Sequence, residues 1–223
     1  TGAALLAPWL PIDDPEAIGG DGGRDRALTG PSWHSLFGTD SLARDVLSRT
    51  VHGARVSLVV GVVAIVLGLL IGGTLGLLAG YFRGLLDRAV TFVFVVLLSF
   101  PALVLAILVT SLLDRGLVTF ALTLGLLGVA PVGRVARAAT IQFAERDFVT
   151  AARMIGAGHR SILVRELLPN VAVPMGSLAL LGMAVAIVAE GGLAFLGLSV
   201  SGGVTWGTLI LDGKPGAGGR IAV

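Results

Sequence analysis

The chain has 223 residues, of which 55% are hydrophobic and 13% charged, with a formal net charge of +2 and no cysteine. An average soluble domain carries about 25% charged residues, so this chain has too little polar surface to coat a water-soluble particle of its size and implies a bilayer as solvent. Without cysteine there is no disulfide framework, Cys-based zinc site or thiol nucleophile, and basic residues that form no run argue against nucleic-acid binding.

Residues 1–10 read as the end of a transmembrane helix whose beginning is missing. With Thr1 in place of a start Met, the chain is expected to be a fragment of a longer protein, without a signal peptide because no basic segment precedes the apolar stretch. Residues 11–55 read as an extracytoplasmic loop. Its first half is rich in Asp, Gly and Pro. In its second half Leu42, Ala43, Val46, Leu47, Thr50, Val51 and Ala54 share one helical face, with Arg44, Asp45, Ser48, Arg49 and Arg55 mostly on the other. This pattern predicts an amphipathic helix, capped by Thr39, Asp40 or Ser41, lying at the membrane surface or on the protein. A plain connector helix explains it equally well.

Four apolar runs follow, over about 56–82, 89–113, 116–136 and 167–198. A hydrocarbon core of about 30 Å takes about 20 helical residues to cross. These runs are long and do not alternate with polar residues, so they predict helices and not barrel strands. The fold class is therefore an all-α polytopic membrane bundle. Gly68, Gly72, Gly76 and Gly80 form an i+4 stripe on the first span. Small residues let helix backbones approach closely, either within the chain, the simpler reading, or at a subunit or pore-lining contact. Pro101 and Pro131 are expected to kink their spans. Asp87, in the turn after the first span, is expected to pair with Arg83 or Arg88 in preference to substrate. Lys and Arg split evenly between the two sets of loops, but those nearest span ends cluster at 83–88 and 134–165, which predicts that this side is cytoplasmic.

The longest charged stretch between spans is 139–170. A helix is predicted over Glu145–Ile155, with Phe148, Ala151, Ala152 and Ile155 on one face, stopped by Gly156-Ala157-Gly158. A second short helix is predicted over Ser161–Leu168, ending at Pro169. Pinned between glycines, such a helix offers a rigid knob to a soluble partner. Glu190 is an acid embedded in an apolar run, which is costly in a membrane. It is expected either to face a translocation path or to bind a helix end or a neighbouring helix. His34, His52 and His159 lack metal-ligand spacing, and neither a phosphate-binding G-x-x-x-x-G-K-[ST] loop nor a G-x-S-x-G elbow occurs. No catalytic, cofactor-binding or metal site is expected.

The order Thr150-Ala151-Ala152, three residues, Gly156, nine residues, Glu166, one residue, Leu168-Pro169 resembles the EAA loop of ABC importer permeases. Leu36-Phe37-Gly38-Thr39-Asp40 through Asp45-Val46-Leu47-Ser48-Arg49 is similar to a stretch of the C-type subunit of dipeptide, oligopeptide and nickel importers. Gly53-Ala54-Arg55, Gly80-Tyr81-Phe82 with Asp87, Ser99-Phe100-Pro101, Glu190 to Leu198 and Trp206-Gly207 continue the likeness. It covers about 32–212. Two positions depart from the pattern: Thr150 replaces the loop's glutamate, and Ala43 a glycine.

The resemblance implies a type I ABC importer permease domain over 56–212, with 213–223 extracytoplasmic, translocating di- or oligopeptides across the cytoplasmic membrane. It implies a homologous second permease, two cytoplasmic ATPases carrying ATP and Mg, and an extracytoplasmic binding protein that delivers peptide. The ATPases would dock on Glu145, Phe148, Thr150, Ala151, Ala152, Ile155, Gly156, Ala157, Leu168 and Pro169. Glu190 and Asp87 remain path or structural residues. The competing readings are an intramembrane enzyme and a passive channel or scaffold without an ATPase.

Overall fold

A computed structural model describes residues 14–17, 27–33, 35–113, 116–196, 198 and 203–213. The expected tail at 1–10, His34 and the segment 214–223 lie outside the described residues. The described residues are helices and connecting turns, with one isolated antiparallel bridge between Thr39 and Asp45. We number the helices α1 (Val46–Phe82), α2 (Gly84–Ser99), α3 (Ala102–Leu112), α4 (Leu117–Ala144), α5 (Asp147–Met154), α6 (His159–Ser161, Ile162–Leu167 and Leu168–Phe195, continuous) and α7 (Trp206–Asp212). Helices α1, α4 and α6 are each long and apolar enough to cross a membrane; α2 with α3 makes a fourth span if the bent pair is counted as one.

The amphipathic stretch and the first span form one helix of 37 residues, in place of a surface helix followed by a span. It starts later than predicted because the expected cap is otherwise engaged. Asp40 accepts the Leu42 and Arg44 N–H groups in a tight turn of its own, and Asp45 caps α1 by accepting the Ser48 N–H at 2.9 Å.

Pro101 does more than kink its span. Phe100 takes extended dihedrals, as residues before proline do, and α2 and α3 meet at 87°. Pro131 and Pro174 lie inside unbroken helices. The predicted short helix at 161–168 is the start of α6 and does not stop at Pro169. A wide i→i+5 turn over Ile162–Leu167 precedes that proline, and the Leu168 N–H reaches back to the Leu163 carbonyl. A proline normally crowds the carbonyl four residues back, and an underwound turn at that point relieves it. A second wide turn, Gly68–Gly73, interrupts α1.

The chain forms two compact units. The first comprises Thr1–Val60, Arg115–Leu117 and Ile187–Val223; the second comprises Gly61–Asp114 and Val118–Ala186. Within the second unit the glycine stripe packs against α4, so the intrachain reading of the stripe holds. A Cβ on Gly72 would lie 2.2 Å from the Val129 carbonyl oxygen, and one on Gly76 2.3 Å from that of Gly133. Further along, Phe94 of α2 covers Gly133. Around the ends of α1 and α4, Tyr81, Ala144, Val149, Ala152, Ile162 and Leu167 share a buried cluster.

Candidate functional site

In the second unit, α5 is a short amphipathic helix with both ends closed. Arg146 precedes it in an extended conformation and its carbonyl accepts the Val149 and Thr150 N–H groups. Asp147 lies in the first turn and Arg153 in the last, matching the helix dipole. At the far end Gly156 takes φ +82°, its N–H donates to the Arg153 carbonyl, and the Ala157 N–H donates to the Ala152 carbonyl. That pair of bonds is a Schellman close, with Ala152 against Ala157 as its apolar contact.

The buried face of α5 is Val149 and Ala152, seated on Ile162 and Leu167 of α6 and on Ala144. This corrects the predicted face. Ala152 belongs to the core side and Ala157 is half-buried, whereas Phe148, Ala151 and Ile155 are turned outward with Thr150. Met154, which the periodicity did not single out, joins them: Met154 is 83% exposed and Ile155 85%. Leu168 and Pro169 are exposed too, but they belong to α6, roughly 14 Å along the helix from His159.

Tyr81 and Phe82, at the end of α1, brace this region. The Tyr81 hydroxyl and His159 Nδ1 share a hydrogen bond of 2.8 Å, and the Arg153 guanidinium lies 5.6 Å over the Tyr81 ring. Arg83 donates to Glu145 at 2.6 Å; both side chains are more than half exposed, so the pair orients the turn more than it stabilises it. Asp87 pairs with neither Arg83 nor Arg88. Both its carboxylate oxygens take the Arg137 guanidinium of α4, Nη2 at 2.7 Å, and Thr91 adds a hydroxyl. Arg137 lies two turns inside α4, a proximity that residue spacing did not reveal.

The first unit holds a different arrangement, in which Asp40, Asp45 and Glu190 are buried. Glu190 of α6 is fully buried. The Trp206 N–H donates to Ser57 Oγ at 3.2 Å, and Ser57 Oγ donates to Glu190 Oε2 at 3.1 Å. The other oxygen, Oε1, has no hydrogen-bond partner and faces Gly207, where a Cβ would come within 2.9 Å. The Trp206 indole N–H donates to the Thr50 carbonyl, and Thr205 with Thr208 forms a reciprocal cap on α7. Glu190 thus bonds Ser57 of a neighbouring helix and, through it, the start of α7.

Nearby, Asp40 receives Arg44 Nε and Arg49 Nη1, each at 2.7 Å, while Asp212 of α7 receives Arg49 Nη2 at 2.9 Å. Burial raises the Asp40 pKa, but the Arg44 and Leu42 N–H groups and the Arg44 guanidinium outweigh it and hold it below the ordinary value. The turn between Asp40 and Arg44 places Ala43 at φ +59°. This left-handed conformation suits glycine, so the departure noted at Ala43 carries backbone strain. Asp212 is 163 residues from Arg49, and nothing in the spacing of either announced the pair.

Residues 72–213 match the family described as binding-protein-dependent transport system inner membrane component. The chain belongs to that family. This permease is 36% identical to the di/tripeptide transport system permease protein DppC of Pseudomonas aeruginosa, over 95% of its own length and 71% of the relative's. It is 38% identical to the dipeptide transport system permease protein DppC of Bacillus subtilis over 83% and 58% of the two chains. With the glutathione transport system permease protein GsiD of Pectobacterium atrosepticum the figures are 32%, 85% and 64%. The permease chain therefore spans between 58% and 71% of the length of these relatives. It is a multi-pass membrane protein of helical architecture.

Proposed function

We propose that this chain is a membrane-spanning permease subunit of an ATP-driven importer of di- or oligopeptides in the cytoplasmic membrane, coupled to two ATPases through the surface of α5. The observation that carries the coupling role is the exposed apolar face of α5. Met154, Ile155 and Phe148 stand open to solvent on a helix whose opposite face and both ends are fixed. A rigid helix with unpartnered apolar side chains suits insertion into a groove of a soluble partner. The names of the relatives support peptide as cargo, and the clustering of arginines near 83–88 and 134–165 supports a cytoplasmic position for α5.

ATP with Mg, bound and hydrolysed on the partner subunits, supplies the difference in free energy between the two states. The permease and a homologous second permease move with the docked helices and open their path alternately to either side, with a binding protein delivering peptide from outside. Ala152 acts from below by seating the helix, and Gly156 by closing it. Thr150 sits exposed where the EAA pattern has a glutamate, so it meets the partner without a charge.

The test is co-purification of the full-length complex from detergent. The unsubstituted chain is expected to retain its ATPases. The double variant Met154→Asp, Ile155→Asp should weaken retention by about 30-fold, the effect of a desolvated hot spot of about 2 kcal/mol, while remaining inserted and folded. An unsubstituted chain that never retains an ATPase, or a double variant that retains it fully, rejects the coupling role.

A further inference from the structure

We propose that the groove between α2 and α4 is a binding site for the phosphate headgroup of an anionic phospholipid, held by Arg88 and Arg134. Two adjoining cavities of about 260 and 370 Å³ share Thr91, Val95 and Arg137 as lining. Arg134 lines the first and Arg88 the second. Of the three guanidinium groups, only that of Arg137 is neutralised, by Asp87. Arg88 and Arg134 are exposed and make no ion pair among the described residues. The groove therefore carries two uncompensated positive charges.

Their position decides the class of ligand. Arg134 follows directly on the uncharged run of α4, so it sits where hydrocarbon gives way to the polar membrane boundary. A guanidinium there is costly unless it reaches water or a counter-anion. Apolar side chains flank both charges: Phe94 and Val95 line the first cavity with Arg134, and Phe92 and Val95 line the second with Arg88, with Phe92 and Val95 exposed. A phosphodiester accepts bidentate hydrogen bonds from arginine forks, and the exposed aromatic and valine beside them suit an acyl chain. Basic pockets between membrane helices suit lipid headgroups in this way. A free phosphate would use the arginines but leave the exposed Phe92 and Val95 without a role.

The full-length permease in its complex, released from detergent for native mass spectrometry, tests this with phosphatidylglycerol, phosphatidylcholine, glycerol 3-phosphate and inorganic phosphate as probes. Phosphatidylglycerol should be retained about 10-fold over phosphatidylcholine, the preference conferred by charge-assisted hydrogen bonds of about 1.4 kcal/mol. The double variant Arg88→Gln, Arg134→Gln should abolish that preference, and Arg160→Gln should leave it intact. Should the double variant not assemble, Val95→Trp fills the apolar lining common to both cavities at an exposed position while keeping both charges, and should exclude the lipid. Equal retention of the two lipids, undiminished phosphatidylglycerol in either groove variant, or its displacement by glycerol 3-phosphate or inorganic phosphate would overturn the lipid assignment.

Discussion

The acids of the first unit and the helix α5 of the second illustrate opposite uses of a few side chains. Around Glu190 and Asp40, polar groups are buried and tied to several helices, so each removal leaves a partner stranded in a low-dielectric interior. Around Met154 and Ile155, apolar groups are exposed and tied to nothing, while the helix that carries them is closed by the left-handed backbone of Gly156. The first arrangement makes a unit hard to deform. The second keeps a surface ready for something else to bury.

The largest expected break in that contrast is Asp40→Ala. It strands the buried Arg49 guanidinium with Asp212 alone and should cost about 3 kcal/mol in the thermal unfolding of the full-length protein. Acid reaches the same group. Because the folded Asp40 pKa is depressed, its stabilisation is complete above the ordinary aspartate value of about 4 and disappears as pH falls through the lower folded value. The midpoint of unfolding should drop over that acidic window, and the drop should be smaller in Asp40→Asn.

Next comes Glu190→Ala, which removes the acceptor for Ser57 and opens a cavity, at about 2–4 kcal/mol by the same measurement. Gly156→Val should cost about 1–3 kcal/mol of backbone strain. Since a Cβ there meets no atom within 4 Å, the loss should be local and appear as faster amide exchange at the end of α5, together with ATP hydrolysis uncoupled from transport. Ala43→Gly should raise stability by about 1 kcal/mol, relieving the left-handed alanine. Smallest of all, Met154→Asp should shift the unfolding midpoint by no more than about 0.5 kcal/mol, since its side chain buries little in the isolated subunit. A large loss there would collapse the distinction between the two regions.

Much of this was legible in the residues. Long uncharged runs mark helices because hydrocarbon leaves the backbone no other way to satisfy itself, and Gly156 marks the end of α5 because its φ demands glycine. The glycine stripe was legible as a close approach, although its partner α4 was not. What stayed hidden depends on tertiary contact. Val149 and Ala152 form the seat of α5, and a periodicity of one turn leaves two neighbouring faces equally plausible. Asp87 finds Arg137 fifty residues away in preference to the arginines beside it. Pro169 looked like a stop, and the wide turn before it lets the helix continue.

The other wide turn, Gly68–Gly73, has a consequence for phase. At 3.6 residues per turn a four-residue repeat overshoots by about 40° at each step, so the three steps from Gly68 to Gly80 would carry the stripe about a third of the way around the helix. An i→i+5 turn takes more residues per revolution, so the step it contains falls behind where regular steps run ahead. Part of the drift is cancelled. The four glycines thereby stay in register with one face of α4, from Gly128 beside Gly68 to Thr140 beside Gly80, and two parallel helices keep backbone contact over a length at which a regular winding would have turned the stripe away.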